Sequence, residues 1–310
     1  MIEFLLGGES VDISKRSYWL TEFLLLTVAI IWGMNYTMGK FGVVQLQPVM
    51  FNAIRFGIAA PILLLIAYLM ERSLRIKWRD VGRLVAVSLI GVTIYQSLFM
   101  TAVKYGSAAN TSLLIAMSPL FTSLFAVLFK LEKMTWRVQI GSIIAFLGAA
   151  IVLLFSHHAS VGSEHHRFMG DVIGLIASLF WGLYPVVTAP LLTKYSALRI
   201  TAWSAVLGMI PLMFLSGGID VALLLHLTSS TWISLLFSSI FVTAYGLVIW
   251  YVGVGKVGAS KVMVYMYLIP LIAVIFAALV IHEALYVSQI IGGIVILFGI
   301  AYGKGVFHHG

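Results

Sequence analysis

The chain has no cysteine, which excludes disulfides, thiolate metal centres and thiol nucleophiles together. Charge is nearly as scarce: Asp, Glu, Lys and Arg make up 10% of the 310 residues, where a soluble domain carries about a quarter. Apolar residues fill the gap at 61%, with a mean hydropathy of +1.06. No soluble core needs that much apolar surface, so the composition reads as a polytopic protein of the lipid bilayer. The first seventeen residues carry Glu3, Glu9 and Asp12 and no short apolar core before a small-residue cleavage site, so no cleaved signal peptide is expected.

Ten apolar runs can be marked, near 19–39, 48–70, 82–103, 108–130, 136–155, 170–193, 199–216, 232–254, 260–281 and 286–304. Each is about twenty residues, enough to cross roughly 30 Å of hydrocarbon as a helix. They lack the alternation that lipid-facing strands require, so helices are expected and a barrel is not. With the amino terminus inside, fifteen of the nineteen Lys and Arg residues fall on cytoplasmic loops, Arg72, Arg75, Lys77, Arg79, Arg83, Lys130, Lys194 and Arg199 among them. Lys40, Lys104 and Arg167 fall outside, and Arg55 lies within the second helix. The bias predicts a multi-pass protein of the plasma membrane with both termini cytoplasmic. It also accounts for the net charge of +8 without nucleic acid, because the basic residues sit next to anionic lipid. The basic run from Arg72 to Arg83, with Trp78 inside it, reads as a topology anchor.

The chain says nearly the same thing twice. Trp32-Gly33-Met34 returns as Trp181-Gly182-Leu183, Val92-Thr93-Ile94-Tyr95 as Val242-Thr243-Ala244-Tyr245, Ser118-Pro119-Leu120 as Ile269-Pro270-Leu271, and Glu132 with Gly141 as Glu283 with Gly292. Five helices per copy is an odd number, so the second copy enters the membrane from the opposite face. The expected fold class is therefore an all-α polytopic membrane protein with ten transmembrane helices in two inverted five-helix repeats. Its parts are a cytoplasmic segment 1–18, a first repeat 19–155, an extracytoplasmic linker 156–169, a second repeat 170–304 and a cytoplasmic tail 305–310. Inverted repeats place a binding site near the midplane and expose it alternately to the two sides.

The opening Trp32-Gly33-Met34-Asn35 followed by Lys40, then Phe51-Asn52-Ala53-Ile54-Arg55-Phe56, resembles the start of an EamA domain of the drug/metabolite transporter superfamily. Ala102 to Ala109 leading to Pro119, then Leu131-Glu132-Lys133 and Gln139-Ile140-Gly141, resembles its close, and Trp181-Gly182, Pro270, His282-Glu283 and Gln289 to Gly292 repeat the scheme. The resemblance spans about 20–304. It implies ten helices, cytoplasmic termini, a central cavity lined by helices one to four and six to nine, and export or exchange of small metabolites. The second copy departs where Ala205 or a neighbour stands for Arg55 and Tyr184-Pro185 replaces Asn35-Tyr36.

Arg55 is the most informative side chain, because a cation in a membrane helix costs at least a few kcal/mol unless it meets water or a partner. It either faces a cavity, or caps backbone carbonyls, or snorkels to the outer interface. Asn35, Asn52, Tyr95, Gln96, Asn110, Trp181, Tyr184, Tyr245 and Tyr265 are the further candidates for the lining, and interhelical hydrogen bonds are the competing use of the amides and hydroxyls. Lys40, Lys104, Glu132, Glu283, Pro119 and Pro270 are candidates for gating or coupling. The lysines sit at helix ends where snorkelling also explains them, the glutamates at tight turns, and the prolines where packing kinks would serve as well. Glu22, Glu132, Asp171 and Glu283 all lie at helix ends, and the absence of a mid-helix carboxylate favours exchange or facilitated transport over tight proton coupling. Gly299-x-x-x-Gly303 and Gly141-x-x-x-Ala145 allow close helix approach, within the chain or at a homodimer surface.

No cofactor, resident metal or catalytic residue is expected. Gly253-x-Gly255-x-x-Gly258 follows a membrane helix instead of a strand, outside any βαβ unit. His157, His158, Glu164, His165, His166 and Asp171 read as a solvated outer loop. The leading function is an alternating-access carrier of small metabolites, an exporter or exchanger of amino acids or related polar or amphipathic compounds. A non-transporting receptor or scaffold, or an intramembrane enzyme acting on lipid, are the alternatives.

Overall fold

The computed structural model describes residues 15–130, 135–155, 164–218, 221–257 and 262–303, and every regular element among them is helical. Helix α1 is Lys15–Val43, α2 is Pro48–Glu71, α3 is Trp78–Tyr105 and α4 is Ala108–Leu128. Helices α5, α6 and α7 are Trp136–Phe155, Glu164–Leu192 and Ala197–Leu215. A short helix, Val221–Leu225, precedes α8, which joins Ser229–Leu236, Phe237–Gly246 and Leu247–Val257; α9 joins Met263–Tyr267 to Leu268–Val280, and α10 is Val287–Gly303. Seven of the helices are long and apolar enough to cross a membrane, and three shorter apolar ones are Gln139–Val152, Tyr265–Val280 and Val287–Gly303. Helix α6 starts at Glu164, earlier than the expected 170, so the part of the expected linker from 164 to 169 is helical. Glu132, His157 and His158 lie outside the described residues.

Local chemistry sets the helix ends. Ser107, Ser196 and Thr228 accept the backbone N–H three residues on, at 2.9, 3.1 and 3.4 Å, and so cap α4, α7 and α8. Pro48 opens α2, where its missing donor costs nothing. Arg72 closes α2 in the left-handed region, φ 56°, with its N–H on Tyr68 O at 2.9 Å. Pro61, Pro185, Pro190 and Pro211 stay inside continuous helices. Pro119 and Pro270 instead begin segments that restart after a change of winding: α4 breaks between Ile115 and Ser118, and α9 passes from a 3-10 turn to an α-helix at Leu268.

The repeated Trp-Gly pairs pack alike. A Cβ on Gly33 of α1 would stand 2.6 Å from Ile272 Cγ2 of α9, and one on Gly182 of α6 would stand 2.6 Å from Phe121 Cβ of α4. Each glycine therefore lets its helix lie against the proline-bearing helix of the other half, beside Pro270 or Pro119. Helix α2 packs on α7, and α5 on α10. The last pair meets backbone to backbone: a Cβ on Gly141 would be 2.5 Å from Gly299 O, and one on Gly148 would be 2.7 Å from the backbone nitrogen of Ile296. The two small-residue motifs face each other within one chain. Gly82, by contrast, has nothing within 4 Å of a built Cβ. Gly82→Ala is expected to raise thermal stability by about 0.5–1 kcal/mol, read by melting in detergent, because a helical glycine is conformationally costly.

The two ends of the bundle are latched differently. At the basic end, Asp80 of α3 accepts from Lys194 at 2.7 Å and Tyr195 at 2.8 Å, and Glu71 of α2 pairs with Arg199 at 2.6 Å. At the opposite end, Gln45 Oε1 accepts from Thr228 N, Thr228 Oγ1 and Thr231 Oγ1 at 2.8 to 2.9 Å. One latch ties the α2–α3 turn to the α6–α7 turn, and the other ties α1–α2 to α7–α8.

Candidate functional site

Arg55 is 1% exposed and lies where α2 meets α3 and α8. Its Nε donates to Ser238 O at 3.2 Å and to Thr243 Oγ1 at 2.8 Å, and its Nη1 donates to Gln96 Oε1 at 3.0 Å. All three acceptors are neutral. Two ion pairs, Lys194 with Asp80 and Arg199 with Glu71, lie at the basic end, away from Arg55. Among the described residues no carboxylate pairs with Arg55, and its Nη2 makes no hydrogen bond with any of them. The guanidinium also lies 5.3 Å from the centroid of the Phe56 ring.

The winding of α8 supplies two of the acceptors. Phe237–Gly246 is a π-helix, and so is Leu89–Ile94 in α3. The two π segments hold Val92-Thr93 and Val242-Thr243, equivalent positions of the repeat. The wider turn lets Thr243 Oγ1 donate to Ser238 O at 2.8 Å while both oxygens still reach Arg55 Nε. Around this centre, Asn35 Oδ1 accepts from Ser238 Oγ at 2.8 Å. Asn52 Nδ2 donates to the backbone oxygens of Gln96 and Pro48 at 2.7 and 3.1 Å. The residues bonded to Arg55 are therefore themselves held.

Arg55 faces a central cavity of about 40 Å³. Asn35, Tyr95, Gln96 and Trp181 line it with Arg55, and Trp32, Tyr36, Phe99 and Met266 complete the aromatic and apolar wall. Trp181 stacks on Tyr95 at 4.7 Å between centroids, and Trp32 meets Trp181 edge-on at 5.8 Å. Trp32 Nε1 donates to Val242 O at 3.2 Å, a carbonyl of the π segment. The space admits a few waters and no metabolite; small-molecule sites are typically about 300 Å³ or more. This is a closed centre.

The other expected lining residues lie elsewhere. Asn52 is buried behind Gln96, and Tyr184 stacks behind Trp181 at 5.7 Å. Tyr245 is hydrogen-bonded to Thr27 at 2.7 Å, and Tyr265 donates to Glu22 near the basic end. Asn110 belongs to a second cavity, about 500 Å³, at the opposite end, together with Lys40, Lys104, Arg167, Asp171 and Glu283. There Asn110 links three helices: it donates to Asp171 at 2.6 Å and accepts from Gln289 at 2.7 Å. Glu283 accepts the N–H groups of Ala108 and Ala109, both at 3.1 Å, at the start of α4, where a carboxylate is favoured by the helix dipole. Lys40 donates to Gly106 O at 2.7 Å and Lys104 to Gln47 Oε1 at 2.9 Å. Sequence reasoning missed Trp32, Tyr36 and Phe99 as lining and Ser238 and Thr243 as partners of Arg55. The spacing Trp32, Tyr36 on α1 and Tyr95, Phe99 on α3, each four apart on one helix face, was the available signal.

Comparison with known proteins supplies the remaining observation. The profile of the EamA-like transporter family matches residues 19–154 and again 168–302. An uncharacterized transporter of Archaeoglobus fulgidus is 29% identical over 279 residues, 89% of this chain and 95% of the relative. The uncharacterized transporter YyaM of Bacillus subtilis is 25% identical, covering 91% and 93% of the two chains. A probable terminal-alkyne amino-acid exporter of Streptantibioticus cattleyicolor is 28% identical over 72% of each chain. A solved structure, titled only as the crystal structure of a protein, superposes with a TM-score of 0.63 at 16% identity, covering 91% of this chain and 94% of the other, a likeness of fold alone. The chain is a multi-pass membrane transporter and belongs to the EamA-like transporter family.

Proposed function

We propose that the chain is an alternating-access carrier that exports or exchanges small metabolites bearing a carboxylate, with amino acids and related amphipathic compounds as the leading class. The observation that carries this reading is the buried Arg55, whose bonds go to neutral acceptors and whose Nη2 makes none with a described residue. A guanidinium binds a carboxylate in bidentate fashion, and a low-dielectric site strengthens that bond. Trp32, Tyr95 and Trp181 offer aromatic faces to an apolar side group without selecting one shape. The relative of S. cattleyicolor named as a probable terminal-alkyne amino-acid exporter, at 28% identity, supports the same class.

In this reading ten helices cross the membrane as two inverted repeats, 19–155 and 170–304. The basic end and both termini are cytoplasmic, and the cavity beside Lys40 is the external vestibule. The closed centre lies between the two latched ends, and opening one end at a time exposes Arg55 to one side at a time. Because the chain has no cysteine, single-cysteine variants need no background substitution. Ser230→Cys at the opposite end is expected to react with an impermeant maleimide in intact cells, and Lys77→Cys only after permeabilisation. The reverse pattern overturns the orientation.

Counterflow into proteoliposomes tests the carrier itself. Saturable accumulation of labelled amino acids against unlabelled internal substrate is expected, with and without a pH gradient. A folded, inserted protein that moves no member of a broad carboxylate panel contradicts the proposal.

A further inference from the structure

We infer that the cavity at the basic end is a binding site for the headgroup of an anionic phospholipid. This cavity, about 600 Å³, opens between the end of α2, the turn 72–77, the start of α3 and the middle of α7. Arg72, Ser73 and Arg75 line one side, and apolar side chains including Leu74, Val81 and Leu207 line the rest. Neither guanidinium makes a hydrogen bond or ion pair with a described residue. Two carbonyls of the same turn are occupied: Trp203 Nε1 donates to Leu74 O at 2.8 Å and Arg199 Nη1 to Arg75 O at 3.3 Å. Helix α7 thus holds the turn through two carbonyls, the backbone N–H groups of Arg75 and Lys77 go to Ser73 Oγ and Tyr195 Oη at 3.4 and 3.0 Å, and the two guanidiniums are left for the cavity. Two arginines and a hydroxyl over an apolar floor match a phosphodiester with attached chains.

The surroundings favour lipid over a soluble phosphate ester. Leu65, Tyr68 and Leu69 are 58, 53 and 56% exposed and fall on one face of α2 at i, i+3 and i+4, and Arg72 follows directly at the end of that helix. That face is a track for an acyl chain leading to the guanidinium. Trp78, 87% exposed at the start of α3 and beside the basic turn, is a residue of the type that anchors at headgroup depth. The basic run from 72 to 83 therefore divides: Arg72 and Arg75 line the cavity, while Arg79 and Arg83 do not. The site is independent of which metabolite is carried and of whether transport is observed.

Native mass spectrometry of the purified full chain with phosphatidylglycerol or phosphatidylcholine of matched chains tests it. Phosphatidylglycerol is expected to bind in preference. Arg72→Gln with Arg75→Gln should lower its affinity by about tenfold or more, whereas Arg79→Gln with Arg83→Gln should change it by less than about twofold. The charge-conserving Arg72→Lys with Arg75→Lys is expected to restore part of the loss. A second readout, the rise in melting temperature on adding phosphatidylglycerol, should disappear in the first double variant alone. Equal losses in both Gln pairs would mean that general surface charge attracts the lipid and would overturn the site. Displacement of bound phosphatidylglycerol by glycerol 3-phosphate would reassign the cavity to a soluble phosphate ester and overturn it as well.

Discussion

Arg55→Gln is expected to lower saturable transport of a carboxylate substrate by about a hundredfold or more, while the protein still inserts and elutes as a folded species. Losing one partner of a buried charge pair costs about 2–5 kcal/mol, equivalent to factors of roughly thirty to several thousand. The folded protein tolerates the change because Ser238 O keeps its bond from Thr243 Oγ1 at 2.8 Å, and Gln96 faces a cavity that admits water. Arg55→Lys retains the charge but loses the planar fork, so only partial recovery is expected. The measurement is counterflow normalised to the amount of reconstituted protein, with insertion checked by protease protection. Unchanged uptake with unchanged apparent affinity removes Arg55 from the substrate site.

Gly141→Leu is expected to do the opposite, removing the folded protein before any question of transport arises. A Cβ there would stand 2.5 Å from Gly299 O and 2.7 Å from Gly303 Cα, so the clash is with backbone that no rotamer change can move. Across the same seam a Cβ on Gly299 would meet the backbone nitrogen of Ala145 at 2.6 Å. Helices α5 and α10 must separate, and the dispersion contacts that hold helices together in lipid are lost along their length. A destabilisation of about 3 kcal/mol or more is expected, seen as aggregation or a lost monodisperse peak in detergent. Gly141→Ala should produce a smaller loss of the same kind. A stable Gly141→Leu protein with wild-type melting would refute the packing.

Much of this organisation was legible in the residues. The doubled Trp-Gly pair reports the contact each copy makes, because only glycine allows α1 and α6 to lie so close to α9 and α4. Arg55 stood out because a cation inside a membrane run demands a reason. Its partners could not be foreseen, since Ser238 O becomes available through the π winding of Phe237–Gly246, and a register of hydrogen bonds leaves no mark on apolar periodicity. Tyr245 and Tyr265 show the same limit from the other side. Both are aromatic, hydroxyl-bearing and set in long apolar runs, yet their hydroxyls meet Thr27 and Glu22, away from the central cavity. Helical spacing gives a face, while the partner across that face depends on how ten apolar segments are threaded. Asn110 likewise joined α6 to α10 through Asp171 and Gln289, residues 61 and 179 positions away.

The central claim is recognition of a carboxylate by Arg55, and paired substrates test it most directly. Once counterflow has identified a transported amino acid, its transport would be compared with that of the matching carboxamide, which keeps the side group and the amine and loses the anion. Wild-type protein is expected to prefer the acid by about a hundredfold, and Arg55→Gln to erase that preference by losing the acid alone. Equal transport of acid and amide by the wild-type protein would contradict the account.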